Sequence, residues 1–166
     1  GRYRSAIDVA LSAGLFDAAE AAAGAVTNGG FESALAVQNP NAFSWTIADG
    51  IFPAVGQNNQ RRSGEYSLLV RFGQGGRGFR QISQRIAVEP GQSYELIFFY
   101  RAELSTSARL RCDVFAALGP PIAGLPLNTK QDWGEARFPF TVPADVEGDL
   151  HAQAEACLAL GVPVMA

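Results

Sequence analysis

The sequence is poor in the residues that most often announce chemistry. Its 166 residues include two cysteines, one histidine and one methionine, and Lys130 is the one lysine among 13 cationic residues. Cys112, Cys157 and His151 share no C-x-x-C or Cys/His spacing, which argues against a zinc site or a Cys–His nucleophile. The two cysteines leave room for one disulfide in an exported protein, provided their strands turn them to compatible faces. Apolar runs stay below the roughly 18 residues that a membrane-spanning helix needs. A net charge of −3 and a sequence pI near 5.1 give no basic footprint for nucleic acid. Asp8, Asp17 and Glu20 interrupt the N-terminal apolar stretch, so it does not read as a secretory signal. The chain is expected to be a segment of a longer protein whose targeting signal lies elsewhere.

What is present changes character near residue 26. Before it, Ile7, Ala10 and Leu11, then Leu15, Phe16 and Ala19, recur at helical spacing. Gly14 stops the first run, and Asp17 complements the dipole of the second. Residues 1–26 are therefore expected to form a helical hairpin, too small to fold without a neighbour. With small alanines and a glycine turn, it resembles the end of a tetratricopeptide-like helical region.

From Phe31 the period becomes 2. Short runs around Trp45, over Tyr66–Phe72, Gln81–Val88, Tyr94–Glu103, Ala108–Ala116, Gly134–Pro143 and Gly148–Leu160 alternate apolar and polar residues between turn signals. Ile82, Gln84, Ile86 and Val88 fall on one side; Leu96, Phe98 and Tyr100 oppose Ile97, Phe99 and Arg101; Leu110, Cys112 and Val114 oppose Arg109, Arg111, Asp113 and Phe115. This pattern predicts a mainly β chain, an antiparallel β-sandwich over residues 27–166.

The chemical signals are few. GQGGRG at 73–78 satisfies G-x-G-x-x-G, but a β-patterned run follows it instead of the helix a dinucleotide site requires. Asp113 and Glu103 are candidate acids, yet no spacing pairs two carboxylates, and Ser/His/Asp chemistry would rest on His151 alone. The chain is expected to be non-catalytic. Arg71, Arg85, Arg101, Arg109 and Arg111 alternate outward with Phe99 and Phe115. One reading is a solvated face whose guanidiniums pair with Glu95, Glu103 and Asp113. The other is a polar, partly aromatic surface that stacks on sugar rings and hydrogen-bonds their hydroxyls. Trp45 and Trp133 divide in the same way, between packing residues and sugar platforms.

The order of NGGFES, FSWTI, SGEYSLLVRF, RQISQRIAVEPGQSYELIFFYRAE and DWGEARFPFTVP is similar to jelly-roll carbohydrate-binding modules and their galactose-binding-like relatives. The matching positions include Asn28, Gly29, Phe31, Glu32, Trp45, Ser63, Gly64, Gln84, Pro90, Gly91, Tyr94, Trp133 and Pro143. The resemblance implies that NGGFES opens the domain as a strand. It implies glycan contacts at Arg71, Gln84, Phe99, Arg101, Arg111 and Asp113, and a structural calcium ion at Glu32. It implies a carbohydrate- or envelope-polymer-binding module of a larger bacterial protein, periplasmic or extracellular, with glycan, polysaccharide or other domains of the same chain as partners. A structural or protein-interaction scaffold without a sugar ligand is the alternative, since a fold does not fix a function.

Overall fold

The computed structural model describes residues 9, 11–14, 22–35, 43–72, 80–104, 109–116, 119–144 and 153–161. They contain nine strands: β1 (Thr46–Ile47), β2 (Ala54–Asn58), β3 (Ser67–Arg71), β4 (Ile82–Ala87), β5 (Ser93–Ala102), β6 (Arg109–Ala116), β7 (Pro121–Leu127), β8 (Lys130–Thr141) and β9 (Gln153–Gly161). All pairings are antiparallel. β1, β4, β9, β6 and β7 form a five-stranded sheet in that order, while β2–β3 and β5–β8 are separate two-stranded ladders. The chain is mainly β, as its alternation predicts.

Alternation also decides what is buried. Along β5, residues 93, 95, 97, 99 and 101 are exposed and the residues between them are half-buried. Ile86 within β4 and Val88 after it, Cys112 and Val114 of β6, and Phe138, Phe140 and Val142 in and after β8 make one buried cluster. Tyr94, Leu96 and Phe98 of β5 and Ile122, Ala123 and Leu125 of β7 pack against it. The core thus lies between the five-stranded sheet and the β5–β8 ladder, where period-2 strands can bury one face each. The EPGQSY turn anchors this end. Gly91 takes φ +75, its N–H donates to Val142 C=O at 2.9 Å, and the Tyr94 ring stacks on Phe140 at 5.6 Å.

Residues 27–33 depart from expectation. NGGFES is a turn, not an opening strand. Asn28 and Phe31 have φ of 48° and 60°, and left-handed backbone cannot continue a ladder. Asn28 closes the turn through Ser33: its Nδ2 donates to Ser33 C=O at 2.9 Å, and Ser33 N–H donates to its Oδ1 at 3.0 Å. Phe31 is a bulky residue in a conformation that asparagine tolerates far better. Its ring lies 5.1 Å from that of Trp45, and its carbonyl accepts from Gln57 Nε2.

Near the start, Ala13 N–H and Ser12 Oγ donate to Val9 C=O at 2.9 and 2.8 Å, and Gly14 ends that helical turn at φ +66. No helical hairpin is seen among the described residues. Residues 22–26 are turn and extended chain instead of helix, with Gly24 at φ +82 donating to Ala87 C=O at 2.7 Å. The rest of the 1–26 segment, the GQGGRG motif and His151 lie outside the described residues. Cys112 is buried. Cys157 stands in register with Asp113, not with Cys112.

Gln84 is the polar member of the β4 inner row and is 1% exposed. Its Nε2 donates to Thr27 C=O at 2.6 Å and to Phe43 C=O at 3.0 Å. Oε1 has no partner among the described residues, so the amide's value lies in its two donations. Gln84→Leu would relieve the unpartnered oxygen but strand two carbonyls. We expect a net loss of about 2 kcal/mol, read as a lower urea midpoint with an unchanged m-value.

Candidate functional site

A cleft of about 1310 Å³ opens beside β3 and β5, where the β2–β3 and β5–β8 ladders are not joined by hydrogen-bonded pairing. Leu68, Val70, Leu96, Phe98, Leu110 and Cys112 line its inner side, toward the core. Arg62, Tyr66, Arg71, Phe99 and Arg101 line it with exposed side chains, and Lys130 with a half-buried one. Ligand sites for small molecules usually enclose about 300–1,000 Å³. The larger volume suits a segment of a chain molecule.

Loop residues 59–66 reach onto the outer row of β5. The Arg62 guanidinium sits 3.6 Å above the centre of the Phe99 ring, a cation–π contact worth about 0.5–1 kcal/mol at an exposed site. Two residues along the same face, Arg101 Nη2 donates to Gln60 Oε1. Lys130, in register with Ala102, places its ammonium 5.1 Å from the centre of the Tyr100 ring. Arg71 ends β3 at the opposite end of the hairpin from this loop, paired with Ala54. Among the described residues none of these four cations is ion-paired with a carboxylate.

Three of the residues expected from the sequence, Arg71, Phe99 and Arg101, therefore line one cleft. The others do not join them. Gln84 is buried and committed to Thr27 and Phe43, so it is a tie between segments and not a surface contact. Arg111 and Asp113 stand on the face of the five-stranded sheet opposite to Cys112 and Val114. Equal parity on β5 and β6 does not place residues on one surface, because those strands belong to different sheets. Arg111 grips Asp113 with two hydrogen bonds, Nη2 to Oδ1 at 3.0 Å and Nε to Oδ2 at 3.3 Å. The hydrogen bond to Asp113 first, and its charge second, raise the Arg111 pKa further above its usual value. Asp113 is 4% exposed and packs over Gly124, directly across the ladder: a Cβ at 124 would lie 1.9 Å from Oδ1 and 2.7 Å from the Cys112 carbonyl. A carboxylate so held is a structural partner for Arg111.

Both tryptophans line the cleft, half-buried. Trp45 is engaged by packing, with Nε1 donating to Asn28 C=O at 3.3 Å and its ring against Phe31. Gln60 and Arg62 were not legible as site residues, because they sit in a loop without periodicity, and Tyr66 was read as the first residue of a strand. Their one signal is the turn-rich NNQRRSGEY run.

Glu32 also lines the cleft, but its oxygens accept the Glu65 N–H, at 2.9 Å from Oε2 and 3.2 Å from Oε1. Gly64 at φ +69 lets the carboxylate approach; a Cβ there would lie 1.9 Å from Oε1. Calcium takes 6–8 oxygen ligands, and no group of three or more acidic, histidine or cysteine side chains gathers here or elsewhere among the described residues. The described surroundings of Glu32 do not by themselves make a calcium cage. What Glu32 does is pin the loop that carries Arg62 and Tyr66.

No family model matches the sequence, and no curated protein matches it. Solved structures do share its fold. A CBM4 carbohydrate-binding module is 17% identical over 85% of this chain and all of its own, with a TM-score of 0.54. A cyclase from Fischerella sp. TAU, solved in complex with 4-(1H-indol-3-yl)butan-2-one, is 17% identical over 84% of this chain and 87% of its own, with a TM-score of 0.55. The enzymatically active domain of tailspike protein 4 from bacteriophage CBA120 is 15% identical over 84% of this chain and 21% of its own, with a TM-score of 0.52.

Removing the Glu32 carboxylate should free the 59–66 loop. Glu32→Ala is expected to raise the initial rate of tryptic cleavage after Arg61 and Arg62 several-fold, with far-ultraviolet circular dichroism unchanged; equal rates would mean the contact does not hold the loop.

Proposed function

We propose that the chain is a non-catalytic carbohydrate-binding module, a jelly-roll sandwich that takes a polysaccharide segment in the cleft beside β3 and β5. The observation that carries this reading is the cleft itself. It combines exposed aromatic rings, Phe99 and Tyr66 at 37% and 40% exposure, with guanidiniums at Arg71 and Arg101. Planar rings pack on the C–H faces of sugars while guanidiniums reach hydroxyls, a pairing that apolar grooves alone lack. A shared fold with a CBM4 module supports the reading. The enzymes that share the fold make catalysis the competing use, and Glu103 is the cleft carboxylate not engaged by a backbone amide in the way Glu32 is.

In this reading the module works outside the cytoplasm within a larger exported protein, where polysaccharide is encountered. No helix among the described residues is long and apolar enough to cross a membrane. One observation favours a scaffold role without sugar: Arg111 and Arg137 are paired with Asp113 and with Glu95 and Glu135, giving faces with their charges satisfied internally.

Affinity electrophoresis through a panel of soluble polysaccharides separates these uses. At least one polymer should retard the protein. Phe99→Ala and Arg101→Ala should each weaken that retardation by about tenfold, equivalent to about 1.4 kcal/mol, while Arg111→Ala leaves it unchanged. Absence of retardation across the panel would refute the carbohydrate reading and leave the scaffold. Release of reducing ends from the bound polymer would refute the non-catalytic part.

A further inference from the structure

We infer that the cleft is selective for acidic polysaccharide, a glycan bearing uronate carboxylates, over neutral polymers; this rests on the carbohydrate reading above. The chain as a whole is acidic, with a net charge of −3. The cleft is lined by four cations, Arg62, Arg71, Arg101 and Lys130, against two carboxylates, Glu32 and Glu103. Composition alone would give the opposite balance.

The state of those cations matters more than their number. Elsewhere the described arginines that meet carboxylates use them: Arg111 holds Asp113 at 3.0 Å, and Arg137 holds Glu135 and lies 3.5 Å from Glu95. In the cleft, Arg62 lies over an aromatic ring, Arg101 binds a neutral amide oxygen, and Lys130 is 3.4 Å from the Glu135 carbonyl. Glu32 is turned onto the Glu65 amide instead. The cleft's positive charge is therefore not cancelled by ion pairing among the described residues. Stacking on Phe99 orients the Arg62 guanidinium without neutralising it.

Shape narrows the ligand. Arg62 and Arg101 share the outer row of β5 near one end, Lys130 lies over Tyr100 on the opposite row, and Arg71 is at the end of the β2–β3 hairpin remote from the loop. Contact with Arg62, Arg101 and Arg71 together requires an extended anion, not a single charged group. The guanidinium fork matches a planar carboxylate with two parallel hydrogen bonds, and the exposed Tyr66 ring offers a face for the sugar rings that carry it. A repeating uronate supplies both features along one chain.

The test compares retardation by polygalacturonate, its fully methyl-esterified neutral form, dextran and dextran sulfate, each at 50 and 300 mM NaCl as chosen conditions. Polygalacturonate should bind at least tenfold more tightly than the ester. Arg62→Ala, Arg71→Ala and Arg101→Ala should each weaken it three- to tenfold, with Arg137→Ala, outside the cleft, unchanged and all four melting as wild type does. Equal binding of acid and ester would overturn the selectivity and keep the carbohydrate reading. Dextran sulfate binding as tightly as polygalacturonate, both lost at the higher salt, would overturn it in favour of unspecific charge attraction. No binding to any of these or to a wider neutral panel would overturn both.

Discussion

Residues 27–33 belong to no ladder, and a backbone outside a ladder must find other partners for its polar groups when it is covered. Here side chains from distant elements supply them. Gln84 on β4 donates to Thr27, Gln57 on β2 to Phe31 and Ser33, and Trp45 to Asn28, while Glu32 returns the favour to the 59–66 loop. One turn is thereby fastened to the five-stranded sheet, to the β2–β3 ladder and to the loop that carries Arg62. Gly29, Gly30, Phe31 and Glu32 are also a wall of the cleft. The cleft has its form because that turn is held from three sides, and the positive φ of Phe31 persists because its surroundings leave the ring and the carbonyl no other place.

Electrostatics divides the molecule in a comparable way. On the outer face of the five-stranded sheet, Arg111 and Asp113 satisfy each other, and Gly124 makes room for the carboxylate. Across β5 and β8, Arg137 does the same with Glu135 and Glu95. The exposed Arg137 pairs add little stability, typically under about 1 kcal/mol, whereas Asp113 is buried and its pair with Arg111 is held inside the sheet. In the cleft, by contrast, Arg62 meets a ring and Arg101 an amide oxygen. Low-dielectric walls such as Leu68, Val70 and Phe98 strengthen the field of charges beside them.

Much of the β architecture could be read from the sequence, because alternation is a local signal. The runs that became β3, β4, β5, β6, β8 and β9 were legible, and the inward row of Ile82, Gln84, Ile86 and Val88 is buried as a set. β2 and β7 were not, since AVGQN and PIAGLPL carry glycine or proline where a strand pattern should be unbroken. Parity also has a limit: it sorts the two faces of one strand but says nothing about which sheet that strand joins. Phe99 and Arg101 were thus grouped with Arg111 and Asp113, although β5 and β6 lie in different sheets. Gln84 shows a related limit. Its position in the pattern predicts burial, whereas its glutamine chemistry invites a surface role, and the pattern is the stronger guide because the β4 row points into the core. The NGGFES turn was misread as a strand since positive φ at Phe31 depends on Trp45 and Gln57, which are distant in sequence.

β9 lies between β4 and β6 in the five-stranded sheet, so it is hydrogen-bonded on both edges. Until residues 153–161 arrive, β1–β4 and β6–β7 are two separate fragments with an open edge each. The sheet therefore closes late, through contacts of high sequence separation, which predisposes it to slow folding. During synthesis those two exposed edges would be bare templates for strands of other chains. β9 is in this sense the molecule's own occupant of a gap that another chain could otherwise fill.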